Sequence, residues 1–190
     1  MALLTPALAD NHDDRTIKEA WGDEAKIGNC FTNNDRIGTN NGGTSGSDIQ
    51  KLVQTDQLTF SHKVSAIRVC TLPPLGLGPE SLIQSVQLFL SIDDHHTIEL
   101  DTIGFECCAC RTQEISGDLL QMEMYFIPDK GIHRLTVTDT NGFHSFGPED
   151  SSAPEKAVIR FTDRYDRPMG FYGSWKFDGL TSLGLITMNT

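Results

Sequence analysis

Two short runs bring metal-ligating side chains together. Cys107-Cys108-Ala109-Cys110 sets three thiols within four residues, and Asp93-Asp94-His95-His96 sets two carboxylates beside two imidazoles. Thiolates this close could share an ion, but the spacing is neither Cys-x-x-Cys nor part of a two-knuckle pattern. On a strand, Cys108 and Cys110 share one face and Cys107 takes the other; adjacent histidines likewise point apart. The cysteines therefore read as small strand residues, and the acidic-histidine run reads as a hairpin tip. With Cys30 and Cys70 the cysteines number five, so at least one thiol stays outside any intramolecular pairing. His133 and His144 flank a hairpin and could titrate near neutral pH, although structural roles are commoner there. A third run, Trp175-Lys176-Phe177-Asp178, combines an indole face, an ammonium and a carboxylate. Trp175 could stack on a ligand, cap the core or anchor a protein partner. Asp178 before Gly179 could accept hydrogen bonds or form an ordinary turn pair. Catalysis has no candidate: there is no Gly-x-Ser-x-Gly elbow, no nucleophile partnered with a histidine, and the acidic residues sit mainly in turns. The chain reads as a non-enzyme, and no cofactor is called for.

The elements that must position these residues show a repeat. Ile83-Gln84-Ser85-Val86-Gln87-Leu88, Ile132-His133-Arg134-Leu135-Thr136-Val137 and Leu180-Thr181-Ser182-Leu183-Gly184-Leu185 begin 49 and 48 residues apart. Each follows another strand-like run, at Val64 to Cys70, Leu119 to Phe126 and Ala157 to Phe161. Paired strands recurring at constant spacing predict a pseudo-symmetric all-β assembly, with Val86, Leu135 and Leu183 buried in three separate sheets. Seventeen Gly and eight Pro suit a strand-and-turn chain. Asn141-Gly142 predicts a hairpin turn, because both residues tolerate positive φ. No amphipathic helix is expected beyond residue 60.

Residues 1–40 read differently, as an N-terminal extension or docking arm ahead of a domain over 41–190. Asp13 or Asp14 could cap a short helix carrying Ile17, Ala20 and Trp21. The Gly- and Asn-rich run from Gly38 to Asp48 lacks the lysine of a phosphate-binding loop. A net charge of −11 disfavours nucleic acid and anionic membrane surfaces. The first ten residues lack a positive region, Pro6 interrupts a short apolar stretch, and no run approaches a membrane span, so a soluble protein without membrane insertion is expected.

In order and spacing, several of these segments resemble the jacalin-like lectin domain. They are Val64 to Val69, Ile83 to Leu88, Ile132 to Gly142 with Phe146-Gly147, Ile159, Gly170-Phe171-Tyr172-Gly173 and Leu183-Gly184. The likeness covers about residues 42 to 188. It implies a β-prism of three four-stranded antiparallel sheets around a pseudo-threefold axis, with a sugar held at one end by an early glycine loop and the loop before the last strand. Gly42 and Gly43 match the first loop, and Trp175, Lys176, Phe177 and Asp178 occupy the second. There a carboxylate would accept paired sugar hydroxyls. Aligning the repeats puts the family's aspartate position on Gln84, His133 and Thr181, none of them acidic. An alternative register puts Asp178 there. Two readings follow: binding of a glycan or glycoprotein, or a structural or adaptor subunit with a degenerate sugar site, docked to a protein assembly through its N-terminal arm.

Overall fold

The computed structural model describes residues 31–34, 36–39, 43–55, 58–59, 62–72, 82–92, 95–106, 109–148, 155–161 and 167–188. The helix expected near Ile17, together with Gly42, Asp93-Asp94 and Cys107-Cys108, lies outside the described residues. In chain order, β1 (Phe31–Asn33), β2 (Ile37–Gly38) and β3 (Thr44–Ser47) precede a short helix, α1 (Ile49–Gln54). Next come β4 (Lys63–Leu72), β5 (Leu82–Ser91), β6 (Thr97–Glu99), β7 (Ile103–Gly104) and β8 (Ala109–Glu114). The rest is β9 (Leu119–Ile127), β10 (Gly131–Asp139), β11 (Gly142–Phe146), β12 (Glu155–Arg160), β13 (Pro168–Lys176) and β14 (Gly179–Met188). Among the described residues, no helix is long and apolar enough to cross a membrane.

Three antiparallel sheets each grow around one long hairpin. The β4–β5 hairpin is flanked by β8 on one side and by β6 with β7 on the other. The β9–β10 hairpin lies between β12 and β11, and β13–β14 lies between β3 and the pair β1 and β2. β1 and β2 occupy successive stretches of one edge of β14, as β6 and β7 do on β5, so every sheet has four strand positions. In the first two sheets the chain leaves the hairpin, pairs with its second arm and returns to its first, a Greek-key path. The third sheet takes its outer strands from the opposite end of the chain. Phe31–Asn33 and Ile37–Gly38, placed in the extension from sequence, are therefore strands of the prism. Asn34 secures them: its Nδ2 donates to the Leu185 carbonyl (3.2 Å) and to Thr187 Oγ1 (3.0 Å), and its own carbonyl accepts from the Tyr172 hydroxyl.

The repeat is visible in the backbone. Gly38, Gly104 and Gly147 have φ of 90°, 115° and 94°, a region only glycine enters readily. A Cβ there would stand 2.2, 2.1 and 2.4 Å from the carbonyl oxygens of Thr181, Gln84 and His133, respectively. These three close approaches make Thr181, Gln84 and His133 equivalent positions. Val86, Leu135 and Leu183, two residues on in each repeat, are fully buried in three different sheets. Their strands β5, β10 and β14 pack against one another along the pseudo-threefold axis. Alternation decides the faces elsewhere. On β9, Met122, Met124 and Phe126 enter the core, while Gln121, Glu123 and Tyr125 stay half-buried on the outer side. There Lys156 Nζ pairs with Glu123 (2.6 Å), and the Tyr125 hydroxyl donates to the same carboxylate (2.7 Å).

The β10–β11 turn forms one residue earlier than the sequence places it, and for another reason. Asp139 pairs with Gly142, leaving Thr140-Asn141 at the tip, and neither Asn141 nor Gly142 has positive φ. Instead Asp139 Oδ1 accepts from the N–H groups of Asn141 (2.8 Å) and Gly142 (2.7 Å), an Asx turn.

Two buried titratable groups brace the structure. Asp48 accepts the N–H of Phe171 on β13 (2.7 Å) and that of Asp101 between β6 and β7 (3.0 Å), joining the third sheet to the first. Burial pushes its carboxyl up to about 7, although both N–H donors pull it down. His62 has Nδ1 2.8 Å from the Thr59 carbonyl, and burial pushes its imidazole down to about 4. Because the Asp48 pKa is raised on folding, its contribution is full below the unfolded value of 3.8 and is lost as pH rises to about 7. The His62 pKa is lowered, so its contribution is full above 6.5 and is lost as pH falls to about 4. The slopes oppose each other across the shared window, and wild-type stability should stay level there. In Asp48→Asn, stability by urea titration should climb between about pH 4 and pH 6.5 as the His62 slope is uncovered. A variant profile parallel to that of the wild type would contradict this.

Candidate functional site

The β13–β14 hairpin ends in a two-residue turn, Phe177-Asp178, closed by the pair Lys176 and Gly179. Such a turn is too short to bury its side chains, so they project from the end of the prism. Phe177 is 89% exposed. Residues on either side of the turn line two separate depressions. A small polar pocket of about 60 Å³ takes Lys176, Asp178 and Thr181 from this hairpin, Thr39 from just beyond β2, and Phe126, Asp129, Lys130 and Gly131 from the β9–β10 hairpin. A wider cleft of about 400 Å³ takes Gly43, Thr44, Trp175, Lys176 and Phe177, with Phe105 from beyond β7.

The predicted residues thus divide. Asp178 and Thr181, the two alternatives for one acidic position, line the same pocket. Thr181 holds the repeat-equivalent place, and Asp178 reaches the pocket from the turn three residues earlier. The Thr181 side chain is buried, with its hydroxyl 2.9 Å from Ser174 Oγ, which in turn meets Ser182 Oγ at 2.6 Å. This chain of buried hydroxyls fixes Thr181 from behind, whereas the Asp178 side chain is exposed. Lys176, also exposed, borders both depressions.

Trp175 is less available than a free loop residue. It is half-buried against the core, and its ring lies over Gly46 of β3, where a Cβ would stand 3.0 Å from it. Gly43 has a steric reason to be glycine: a Cβ there would come within 2.2 Å of the Trp175 carbonyl oxygen. It lets β3 approach β13, whatever else it does. Asp129, Lys130, Thr39 and Phe105 also line these depressions and were not singled out from sequence. The signal was present for two of them: Ile37-Gly38-Thr39 and Ile103-Gly104-Phe105 share a hydrophobic-Gly-x pattern with Phe146-Gly147-Pro148. Asp129 holds φ of 63°, which aspartate tolerates, and so turns β9 sharply into β10 at the pocket rim.

The cysteines need a correction. Cys110 is not a lone strand thiol; it forms a disulfide with Cys70, directly across the β4–β8 pairing. A site using all three thiols of Cys107, Cys108 and Cys110 is therefore not formed. Among the described residues, no group of three or more His, Cys, Asp or Glu side chains is placed to hold a metal ion.

The sequence matches no family model and no curated protein. Solved structures do match. A mannose-binding lectin from Champedak aligns over 84% of this chain and 96% of its own, at 15% identity and a TM-score of 0.58. A mannose-binding jacalin-related lectin from Ananas comosus covers 84% and 99%, at 15% identity and 0.57. A mannose-specific jacalin-related lectin from Morus nigra, solved with mannose, covers 83% and 94%, at 14% and 0.56. At such identities the likeness is one of architecture, and it agrees with the three-sheet topology, the glycine repeat and the hairpin register: the chain has the β-prism fold of the jacalin-related lectins.

Proposed function

We propose that this protein is a non-enzymatic carbohydrate-binding protein that reads a glycan at the end of the prism, in the pocket of Lys176, Asp178 and Thr181. One observation carries the reading. The β2 end, the β9–β10 turn and the β13–β14 turn converge there, bringing the Asp178 carboxylate together with Asp129, Lys130, Lys176 and the Thr39 hydroxyl. A sugar presents adjacent hydroxyls that act both as donors and as acceptors, and a pocket with carboxylates, ammonium groups and hydroxyls can serve both roles.

A glycan array followed by titration calorimetry tests this. The wild type should bind, and Asp178→Asn should weaken binding about tenfold or more, as expected for losing a hydrogen bond to a charged acceptor. The variant should stay folded, because Asp178 is an exposed turn residue. An array with no bound glycan defeats the reading.

The engaged Thr181 hydroxyl and the steric account of Gly43 favour a second reading, an adaptor or structural subunit docked through its N-terminal arm. Its test is deletion of residues 1–30, which stops short of β1. Release of the protein from a native complex, with no glycan bound by the intact chain, would support it.

A further inference from the structure

The edge of the first sheet carries a disulfide that the glycan pocket does not use. β8 pairs with β4 on one side, and Cys110 on β8 is joined across that pairing to Cys70. The two ends of the bridge differ in access. Cys70 is 1% exposed, whereas Cys110 stands on an exposed stretch of β8. A nucleophile from solvent can reach the Cys110 sulfur and is kept from the Cys70 sulfur.

Cys110 also lines a depression of about 230 Å³ where the first sheet meets the second. β4 and β8 supply one side, with Thr71, Cys110 and Arg111; β11 supplies the other, with Ser145 and Phe146. Arg111 is the only charged residue of this lining among the described residues. Its guanidinium lies 5.0 Å from the Phe146 ring centroid, with Nη1 donating to the Ser145 carbonyl (3.4 Å) and Nη2 to Gln113 Oε1 (3.1 Å). These partners are neutral. They hold the planar group in place without cancelling its charge, and its remaining N–H donors are left for an incoming acceptor.

The two features select one class of molecule. A disulfide sulfur is an electrophile toward a thiolate, and a guanidinium beside it favours the approach of that anion. The same guanidinium can grip a carboxylate carried by the incoming molecule. We propose that Cys110 is a thiol-exchange site whose substrate is a small thiol bearing a carboxylate. The thiolate attacks Cys110 Sγ, a new S–S bond forms there, the Cys70–Cys110 bond breaks, and Cys70 leaves as a thiolate that takes a proton from solvent. A second thiolate attacks the sulfur of the bound thiol, releasing Cys110 as a thiol and a disulfide of the two small molecules. Two thiols are oxidised and one protein disulfide is reduced. β8 keeps its backbone pairing with β4 and loses its covalent tie. The stability that the bridge gives the fold opposes opening, so the thiol must be in excess.

For the test, Cys30, Cys107 and Cys108 are first capped by alkylation of the oxidised protein, and circular dichroism confirms folding. A variant with all three changed to serine repeats the measurement without alkylation. Glutathione, which carries carboxylates, and 2-mercaptoethanol, which carries none, are each added in excess in native buffer. Acid-quenched samples are followed by mass spectrometry, with rates compared per thiolate. The bridge should open without denaturant, the trapped adduct should sit on Cys110, and glutathione should react faster. Arg111→Gln should slow glutathione about threefold to tenfold, as expected for losing one exposed charge-assisted contact, and leave 2-mercaptoethanol unchanged. Arg111→Lys should keep most of the preference, and high salt should shrink it. Opening that requires denaturant, an adduct on Cys70, or an Arg111→Gln change that alters both rates alike or neither would overturn the site.

Discussion

Replacing both Cys70 and Cys110 by serine should lower the stability of the domain by about 4 kcal/mol, the chain-entropy cost of releasing a loop of this size. The two cysteines are 40 residues apart in sequence yet directly opposite in register on β4 and β8. The loop they close contains β5, β6 and β7, so the bridge holds the whole first sheet in one ring. β8 depends on it, being an edge strand whose side chains are almost all exposed. Its neighbour Arg111 then reaches the second sheet, with the guanidinium 5.0 Å from the Phe146 ring centroid. Guanidinium unfolding of the oxidised protein and of the double variant, analysed with a shared slope, measures the effect. A difference under about 1 kcal/mol would mean that the bridge does not constrain the unfolded chain as its loop length requires.

Leu135→Ala should cost about 2–5 kcal/mol. Leu135 is fully buried on β10, opposite Met124 on β9 and Phe146 on β11, and β10 packs against β5 and β14 at the axis. Neighbours on three sides are themselves locked in strands, so the space left by three missing carbons cannot close. Val158→Ala serves as the control: that side chain is 40% exposed on β12, and its loss should fall within about 0.5 kcal/mol. Similar losses at both positions, measured by chemical denaturation, would contradict the placing of the core.

These two sites mark how far the sequence could be read. The burial of Leu135, with that of Val86 and Leu183, follows from period-two alternation and a repeat of constant spacing, both of which are local properties that need no partner. The pairing of Cys70 with Cys110 is not local. It depends on which strand settles beside β4, and only a register spanning 40 residues decides that. The same limit applies to β1 and β2, whose short polar segments carry almost no strand signal alone and owe their structure to β14. At the candidate site, the run Trp175 to Asp178 was legible as a group. Its division between two depressions was not, because the opposing walls come from Thr39, Phe105 and the β9–β10 turn. The β10–β11 turn was expected at Asn141-Gly142 from the glycine, but its tip is Thr140-Asn141, and the Asp139 carboxylate is what holds it.

That the third sheet joins the first described strands to the last has a consequence for biosynthesis. As the chain leaves the ribosome, the first two sheets can close on themselves in turn. β1, β2 and β3 emerge first but have no partner until β13 and β14 have been made. Throughout synthesis they are open edges, the kind of surface on which nascent chains cross-pair. Their brevity and their Asn, Ser, Thr and Gly content suit that wait, since they offer a neighbouring chain little to grip. Translation must run to about Met188 before the ring of sheets can shut, and a chain cut short inside β14 would leave three strands without a home.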